Sequence, residues 1–324
     1  MKPIACFGEA LIDLLAQPEM PPAPRAFLQF AGGAPANVAV AAARLGAETQ
    51  FIGMLGEDLF GDFLLRSLVD AGVGTQHVVR TAQAKTALAF VALDAVGERS
   101  FSFYRPPAAD LLFRPQHFSE DAFDAAIWHV CSNSLTETDI AATTLAGMRR
   151  ARAAGALISL DLNLRPALWP ADVDPHPRLW AALAEADIVK LARNELDHLA
   201  APLGGAAAVL ERLWRGRARW LVITDGAAPL RWHTRDAQGE IDPFRVTAID
   251  TTAAGDAFVG ALLAGLRARA IDAASLGDFL AQRDAMRATL RRAAAAGAVA
   301  VTRHGAFAAM PDPADIDALL QGAP

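Results

Sequence analysis

The stretch AIDTTAAGDAFVGALLAGL, Ala248 to Leu266, sets two carboxylates, Asp250 and Asp256, around two threonines and a run of very small side chains. AID closes an apolar, strand-like segment, and AFVGALLAGL reads as a helix with small residues along one face. TTAAG between them is then a tight turn into a helix N-terminus. The backbone N–H groups of Ala253, Ala254 and Gly255 have no partner inside such a helix, and its dipole favours an anion above them. Asp256 falls in the first turn. It can be an ordinary acidic residue that stabilises the dipole, or a group that acts on whatever the turn binds. The stretch by itself leaves both open.

Outward from this turn the chain alternates strands and helices. TQFIGMLG is a strand and DLFGDFLLRSLVDAGV an amphipathic helix. The same alternation runs through ALISLDLNLRP, IVKLARNELDHL and WLVITDG. That is the pattern of an α/β fold, a parallel sheet covered by helices. IACFGEALIDLL is a buried strand that breaks near Gly8. AGGAPANVAVAAARLGA starts as a Gly-Gly turn and becomes a helix from about Ala36 to Gly46, while PEMPPAPR is a Pro-rich surface turn. One segment departs from the alternation. TALAFVALDAVGERSFSFYR, Thr86 to Arg105, reads as a hairpin turning at about Ala95 to Glu98. Paired with FLQFAGG it would make a small sheet beside the main one, a lid over a cleft; an edge extension of the main sheet fits the pattern equally well.

The chain has 324 residues, 53% hydrophobic, which suffices for one large domain with a substantial core. Its net charge of −6, without a basic block, argues against nucleic acid as a partner. No apolar run is long and charge-free enough to span a bilayer. Glu9 and Asp13 interrupt the apolar N-terminus, so a first buried strand fits better than a signal peptide. Cys6 and Cys131 are the only cysteines and lack metal-ligand spacing, which suits a reducing, cytoplasmic setting. There is no G-x-x-x-x-G-K-[ST] loop, and GEALID stands where a dinucleotide fold carries G-x-G-x-x-G. No Ser/His/Asp or H-E-x-x-H arrangement stands out, and His129 reads as a strand residue. In DLNLRP, alternation would put Asp161, Asn163 and Arg165 on one face of a strand end. Three such groups need partners if buried, either a ligand or a salt bridge.

GGAPANVAVAAARLG near the start and DTTAAGDAF near the end resemble the two signatures of the ribokinase-like sugar kinases, the PfkB family. The resemblance runs in order through GEALID, GERSFSFYR, DLNLR, VKLARNEL, ITDG and AGAVAVTRHGA, over nearly the whole chain. GERSFSFYRPPAAD followed by DLNLRPALW looks most like bacterial fructokinases. The resemblance implies one domain over residues 1–324, a three-layer α/β/α core with a mostly parallel sheet, and a β-lid from about residues 14–33 and 85–107. It implies an ATP-dependent kinase with Asp256 as general base and the turn Ala253, Ala254, Gly255 as anion hole. Asp13, Gly33, Asn37, Tyr104, Arg105, Asn163 and Arg165 match positions on the sugar side. Thr224, Gly226, Thr252 and Gly255 match the nucleotide side, and Glu195 the acid that organises Mg²⁺. A monovalent cation near Asp250, Thr252 and RHGA is left open, because Ala309 has no hydroxyl. Relatives also suggest a homodimer through the lid.

Two residues depart from the family pattern. Ala253 stands for the usual first Gly of G-A-G-D, and Ala192 for the usual Asn of N-x-x-E. Ala253 keeps its N–H, so the anion hole survives if its φ is negative; a left-handed geometry would cost about 1–2 kcal/mol. An Asp of ordinary pKa, roughly 4, would be a weak base, sufficient for a loose phosphoryl transition state. Fructose is the expected substrate, with 2-keto-3-deoxygluconate or ribose as alternatives in the same class. A non-catalytic sugar sensor is the rival from another class, and an NAD enzyme is further off.

Overall fold

The alternation read from the sequence builds two sheets. In the computed structural model, which describes residues 2–17, 24–93 and 99–322, the strands are β1 (Ile4–Phe7), β2 (Leu11–Ala16), β3 (Phe27–Gly32), β4 (Thr49–Gly56), β5 (Gly74–Thr81), β6 (Leu88–Leu93), β7 (Arg99–Tyr104), β8 (Ile127–Cys131), β9 (Leu157–Asp161), β10 (Ile188–Ala192), β11 (Trp220–Thr224), β12 (Leu230–His233) and β13 (Gln238–Ile241). The helices are α1 (Ala34–Arg44), α2 (Leu59–Asp70), α3 (Thr138–Ala153), α4 (His176–Leu183), α5 (Arg193–Ala200), α6 (Ala206–Arg215), α7 (Ala254–Ala268), α8 (Leu276–Ala281), α9 (Arg283–Ala300) and α10 (Pro313–Gly322).

The large sheet runs β13-β12-β11-β10-β9-β8-β1-β4-β5, parallel from β11 to β5 and antiparallel at β12 and β13. Its central strands are buried on both faces, which is why they read as unbroken apolar runs. Alternate residues feed two separate cores. Ile4 and Cys6 of β1 point into the one that α1, α2, α7 and α9 cover. Ala5 and Phe7 point into the other, under α3 to α6. The small face of α7 is explained by its contact with α1. A Cβ on Gly260 would come within 2.4 Å of Ala41 Cβ, so only small residues let the two helix backbones lie this close.

The small sheet runs β3-β2-β6-β7 and is separate from the large one, so the edge-extension alternative fails. The hairpin strands pair as expected, Leu88 opposite Tyr104. Their neighbour, however, is β2, parallel to β6, and FLQFAGG lies beyond it. The second half of IACFGEALIDLL therefore belongs to the lid, which begins at Leu11 and not at residue 14. Sequence alternation cannot distinguish one broken strand from two strands in different sheets. The hairpin turn, and most of PEMPPAPR, lie outside the described residues. One strand reading also fails: the residues before Asp250 form no strand, and Ile249 and Asp250 instead donate their amides to Val301 O.

Candidate active site

Side chains with chemistry gather at the C-terminal ends of the parallel strands, where open α/β sheets form their clefts. Glu9 follows β1, Asn133 follows β8, Asp161 ends β9 and Thr224 ends β11. Helix α1 brings Asn37 into this region, and α7 brings its N-terminal turn.

Asp256 lies in the first turn of α7 and is buried. Its Oδ2 accepts a hydrogen bond from Asn37 Nδ2 at 2.7 Å. Asn37 fixes the carboxylate from the neighbouring helix. Burial, the largest effect, raises the Asp256 pKa to about 7, and the Asp161 charge adds to the rise against the Asn37 bond and Lys190. The expectation of an ordinary pKa near 4 is corrected: Asp256 is half-protonated near neutrality, because a buried carboxylate loses most of its hydration.

Ala253 caps α7 in the left-handed region, at φ 57°. The condition of a negative φ is not met, and an alanine there is strained by about 1–2 kcal/mol. The conformation has a use. A left-handed residue followed by a right-handed one turns successive N–H groups into one concavity, an anion nest. The amides of Gly255 and Asp256 open the helix without an intrahelical partner, and Ala254 N donates to Thr251 O at 3.5 Å. Asp250, the other acid of the stretch, braces the turn: Oδ1 accepts Thr252 N at 2.7 Å and Oδ2 accepts Gly305 N at 3.1 Å.

Beneath this turn lies a cluster that the motifs did not announce. Lys190 is buried in the middle of apolar β10, and its Nζ is 3.1 Å from Asp161. Burial works against the ammonium, but Asp161, Glu195 and Asp256 outweigh it and hold its pKa above the ordinary value. A lysine inside IVKLA was itself a signal, since a charge in a buried strand needs a partner. Glu195, the acid matched to Mg²⁺, has both oxygens engaged by backbone. Its Oε1 accepts Leu164 N and its Oε2 accepts Ala192 N, both at 2.7 Å, so it ties β10 and the start of α5 to the chain after β9. Burial raises its pKa. Among the described residues, no group of three His, Cys, Asp or Glu side chains could hold a metal ion.

A second cluster sits across α1. Glu9, also unannounced, is buried and accepts hydrogen bonds from Ala34 N at 3.2 Å and Asn133 Nδ2 at 2.9 Å. Arg105 is 2% exposed; its Nε and Nη2 both donate to Asp110 Oδ2, and its Nη1 donates to Asn133 O. It pins the end of β7 to the segment after β8. Its guanidinium is taken up by protein. Tyr104, on the same strand, is 67% exposed and packed edge-on against Phe90.

The remaining matched residues divide. Gly33 has φ 105°, and a Cβ there would lie 2.6 Å from Glu9 O, so the chain after β1 and the start of α1 can touch only through glycine. Asp13 projects from β2 over Gly32, whose missing Cβ leaves room for its Oδ2. The expected alternation through DLNLRP ends at Asp161, because Asn163 is left-handed at φ 42°. Asn163 is buried, whereas Arg165 is exposed and reaches Asp256 only through its charge. Thr224 is half-buried and Gly226 exposed at the end of β11. His129 stays neutral, pushed down to about 3 by burial and by Lys190.

Known proteins share this arrangement. The chain is 60% identical to the fructokinase of Xylella fastidiosa, whose structure with bound ATP superposes with a TM-score of 0.94 over 98% of each chain. The fructokinase of Vibrio cholerae O395, solved with fructose, ADP and a calcium ion, is 31% identical, with a TM-score of 0.84 over 99% of each chain. Fructokinase-1 of Oryza sativa subsp. japonica is 40% identical over 99% of this chain and 98% of its own. The description "pfkB family carbohydrate kinase" matches residues 1–313, and the chain belongs to that family.

Proposed function

We propose that the protein transfers the γ-phosphoryl group of ATP to D-fructose, giving fructose 6-phosphate and ADP. The observation that carries this is the pairing of Asp256 with Asn37 at the open N-terminus of α7. The hydroxyl at C6 attacks the γ-phosphorus, the bond to the β-phosphate oxygen breaks, and the hydroxyl proton passes to Asp256. With Oδ2 held by Asn37, Oδ1 faces the incoming hydroxyl. The amides of Ala253, Ala254 and Gly255 take the charge on the phosphoryl oxygens. A base with a pKa near 7 is well matched to neutral pH.

Fructose suits the site better than a keto acid. Buried Asn37 Oδ1, Asp110 Oδ1 and Asn133 Oδ1 all lack a hydrogen-bond donor. Acceptors without donors call for hydroxyls, and Arg105, the group that would meet a carboxylate, is committed to Asp110. Asp13, Gly33 and Asn163 border the same region. Thr224, Gly226 and Thr252 fall on the nucleotide side. We infer that Mg²⁺ arrives on the ATP phosphates, keeping most of its waters, with Glu195 addressing it through water because both its oxygens accept amides. Bound there, it would neutralise phosphate charge. Potassium dependence, read against tetramethylammonium, tests a cation beside Asp250. A second copy fits the lid face where Phe27, Phe90 and Tyr104 stack edge-on, and a Tyr104→Ser variant that sediments as a monomer supports it. ATP and two free cysteines suit the cytoplasm.

A sugar panel at one ATP and magnesium concentration, followed by ADP release, tests the assignment. Fructose is expected to exceed 2-keto-3-deoxygluconate and ribose at least about tenfold in kcat/KM. A keto-acid preference would overturn the substrate, and binding without turnover would revive the sensor.

A further inference from the structure

We propose that Glu9 is a positioning residue for the transfer step: from the turn after β1 it holds the first turn of α1 and, through it, the Asn37 amide that fixes Asp256. This rests on Asp256 as the base, which turnover of Asp256→Asn tests separately.

The sequence leaves α1 unable to cap itself. Gly33, its N-cap, has no side chain, and a Cβ there would lie 2.6 Å from Glu9 O and 2.7 Å from Ala10 Cα. Pro35 brings no N–H. The close approach that forbids a capping side chain at Gly33 also sets Glu9 beside the helix, where its Oε1 accepts Ala34 N at 3.2 Å. A carboxylate at that end suits the helix dipole. One turn on, Asn37 N donates to Gly33 O at 2.8 Å, and Asn37 Nδ2 reaches Asp256 Oδ2 at 2.7 Å. Glu9, the first turn of α1, Asn37 and Asp256 form one continuous chain of contacts.

Glu9 is buried, and no step of the transfer consumes or supplies its proton. A buried carboxylate is costly unless its partners need it. The same Oε1 accepts Asn133 Nδ2 at 2.9 Å, and Asn133 O accepts Arg105 Nη1 at 2.7 Å. Arg105 follows β7, so the end of the lid strand and the helix that carries Asn37 are joined through this one oxygen. Cys131 Sγ faces the other oxygen at 3.7 Å. The charges that act on Asp256 are those of Asp161, Lys190 and Arg165, whereas Glu9 acts through the Asn37 bond, which holds the Asp256 pKa down against burial.

The pH profile of kcat separates positioning from plain structural support. Glu9→Met keeps the bulk and removes both acceptor oxygens. Near neutrality kcat should fall at least about tenfold, as expected when a reacting group is slightly misplaced. The acid limb should move up by at least about half a pH unit, because a loosened Asn37 bond no longer favours the ionised form. Glu9→Gln keeps an acceptor for Ala34 N and should return the limb to within about 0.2 unit of wild type. In an Asn37→Ala background, Glu9→Met should move the limb no further. Loss of a negative charge alone would move a neighbouring carboxylate pKa down, so a rise marks the loosened bond. The same rise is legible without turnover, as a higher pH at which the Asp256-linked stability is lost. A limb unmoved in Glu9→Met, an equal shift in Glu9→Gln, or a shift that persists without Asn37 would overturn the proposal and leave Glu9 as a structural anchor. If Glu9→Met shows no cooperative unfolding transition, Glu9→Ala is read in the same way.

Discussion

Two buried charge clusters flank the first turn of α1, and they use the same ingredients differently. On one side Arg105 meets Asp110 and Glu9; on the other Lys190 meets Asp161, Glu195 and Asp256. The arginine spends Nε, Nη1 and Nη2 on protein acceptors and closes the lid strand onto the core. The lysine lies 3.1 Å from both carboxylate oxygens of Asp161, beneath the helix turn. A planar fork that is saturated by protein is a clamp, whereas an ammonium is a compact point charge held by the carboxylates around it. The family resemblance put Arg105 among the sugar-side positions and did not single out Lys190; the hydrogen bonds show the Arg105 guanidinium held by protein.

The largest expected effect lies on the lysine side. Asp256→Asn should lower kcat by at least about 10²-fold with fructose KM little changed, since Asn keeps the shape and loses the proton acceptor. Near-normal turnover in steady-state assays would remove Asp256 from the chemistry. On the arginine side the loss should appear as stability. Arg105→Met leaves Asp110 and Glu9 uncompensated and should cost about 3–5 kcal/mol in denaturant unfolding. Adding Asp110→Asn should restore much of it. If stability is unchanged and fructose KM rises instead, Arg105 is a substrate ligand and the contrast collapses.

The next effect concerns pH. Because the Asp256 pKa is raised to about 7, kcat should fall about tenfold per unit below that value. The folded state also holds this proton more tightly than the unfolded state. The associated stability is complete below about pH 4 and is lost as pH rises through 7. Asp256→Asn should therefore melt higher than wild type at pH 8, with the gap closing toward pH 4. Equal melting temperatures across that range would show that Asp256 is not buried as described.

The smallest effect tests the turn. Ala253→Gly relieves a left-handed alanine, so it should stabilise by about 1 kcal/mol, the opposite sign from what a negative φ implies. Since the N–H donor is unchanged, kcat should move less than about tenfold. A hundredfold rise would show that Ala253 distorts the nest.

Local pattern carried much of this molecule. Strand and helix alternation gave the parallel sheet and its covering helices, because burial on both faces produces apolar runs whatever the topology. The paired signatures led to Asp256 and Asn37, and the 2.7 Å bond between them joins residues more than 200 positions apart. The lid hairpin was also legible, but its neighbour was not. Pairing β6 with β2 depends on how the chain leaves β1 at Gly8, and no periodicity encodes that. The run DLNLRP failed as an alternating strand because Asn163 turns left-handed, a backbone choice that tertiary contacts impose.

The sequence alone determined which residues are available: a small-residue turn, an acid in its first helical turn, and a lysine in an apolar strand. Only the tertiary structure decided what each is for. Whether a charge is a clamp, a base or a counter-ion depends on how many partners surround it and how much water it loses. Those are properties of the packed neighbourhood: burial raised Asp256 toward 7, Asp110 consumed Arg105, and the bare backbone at Gly255 let Lys190 reach the turn.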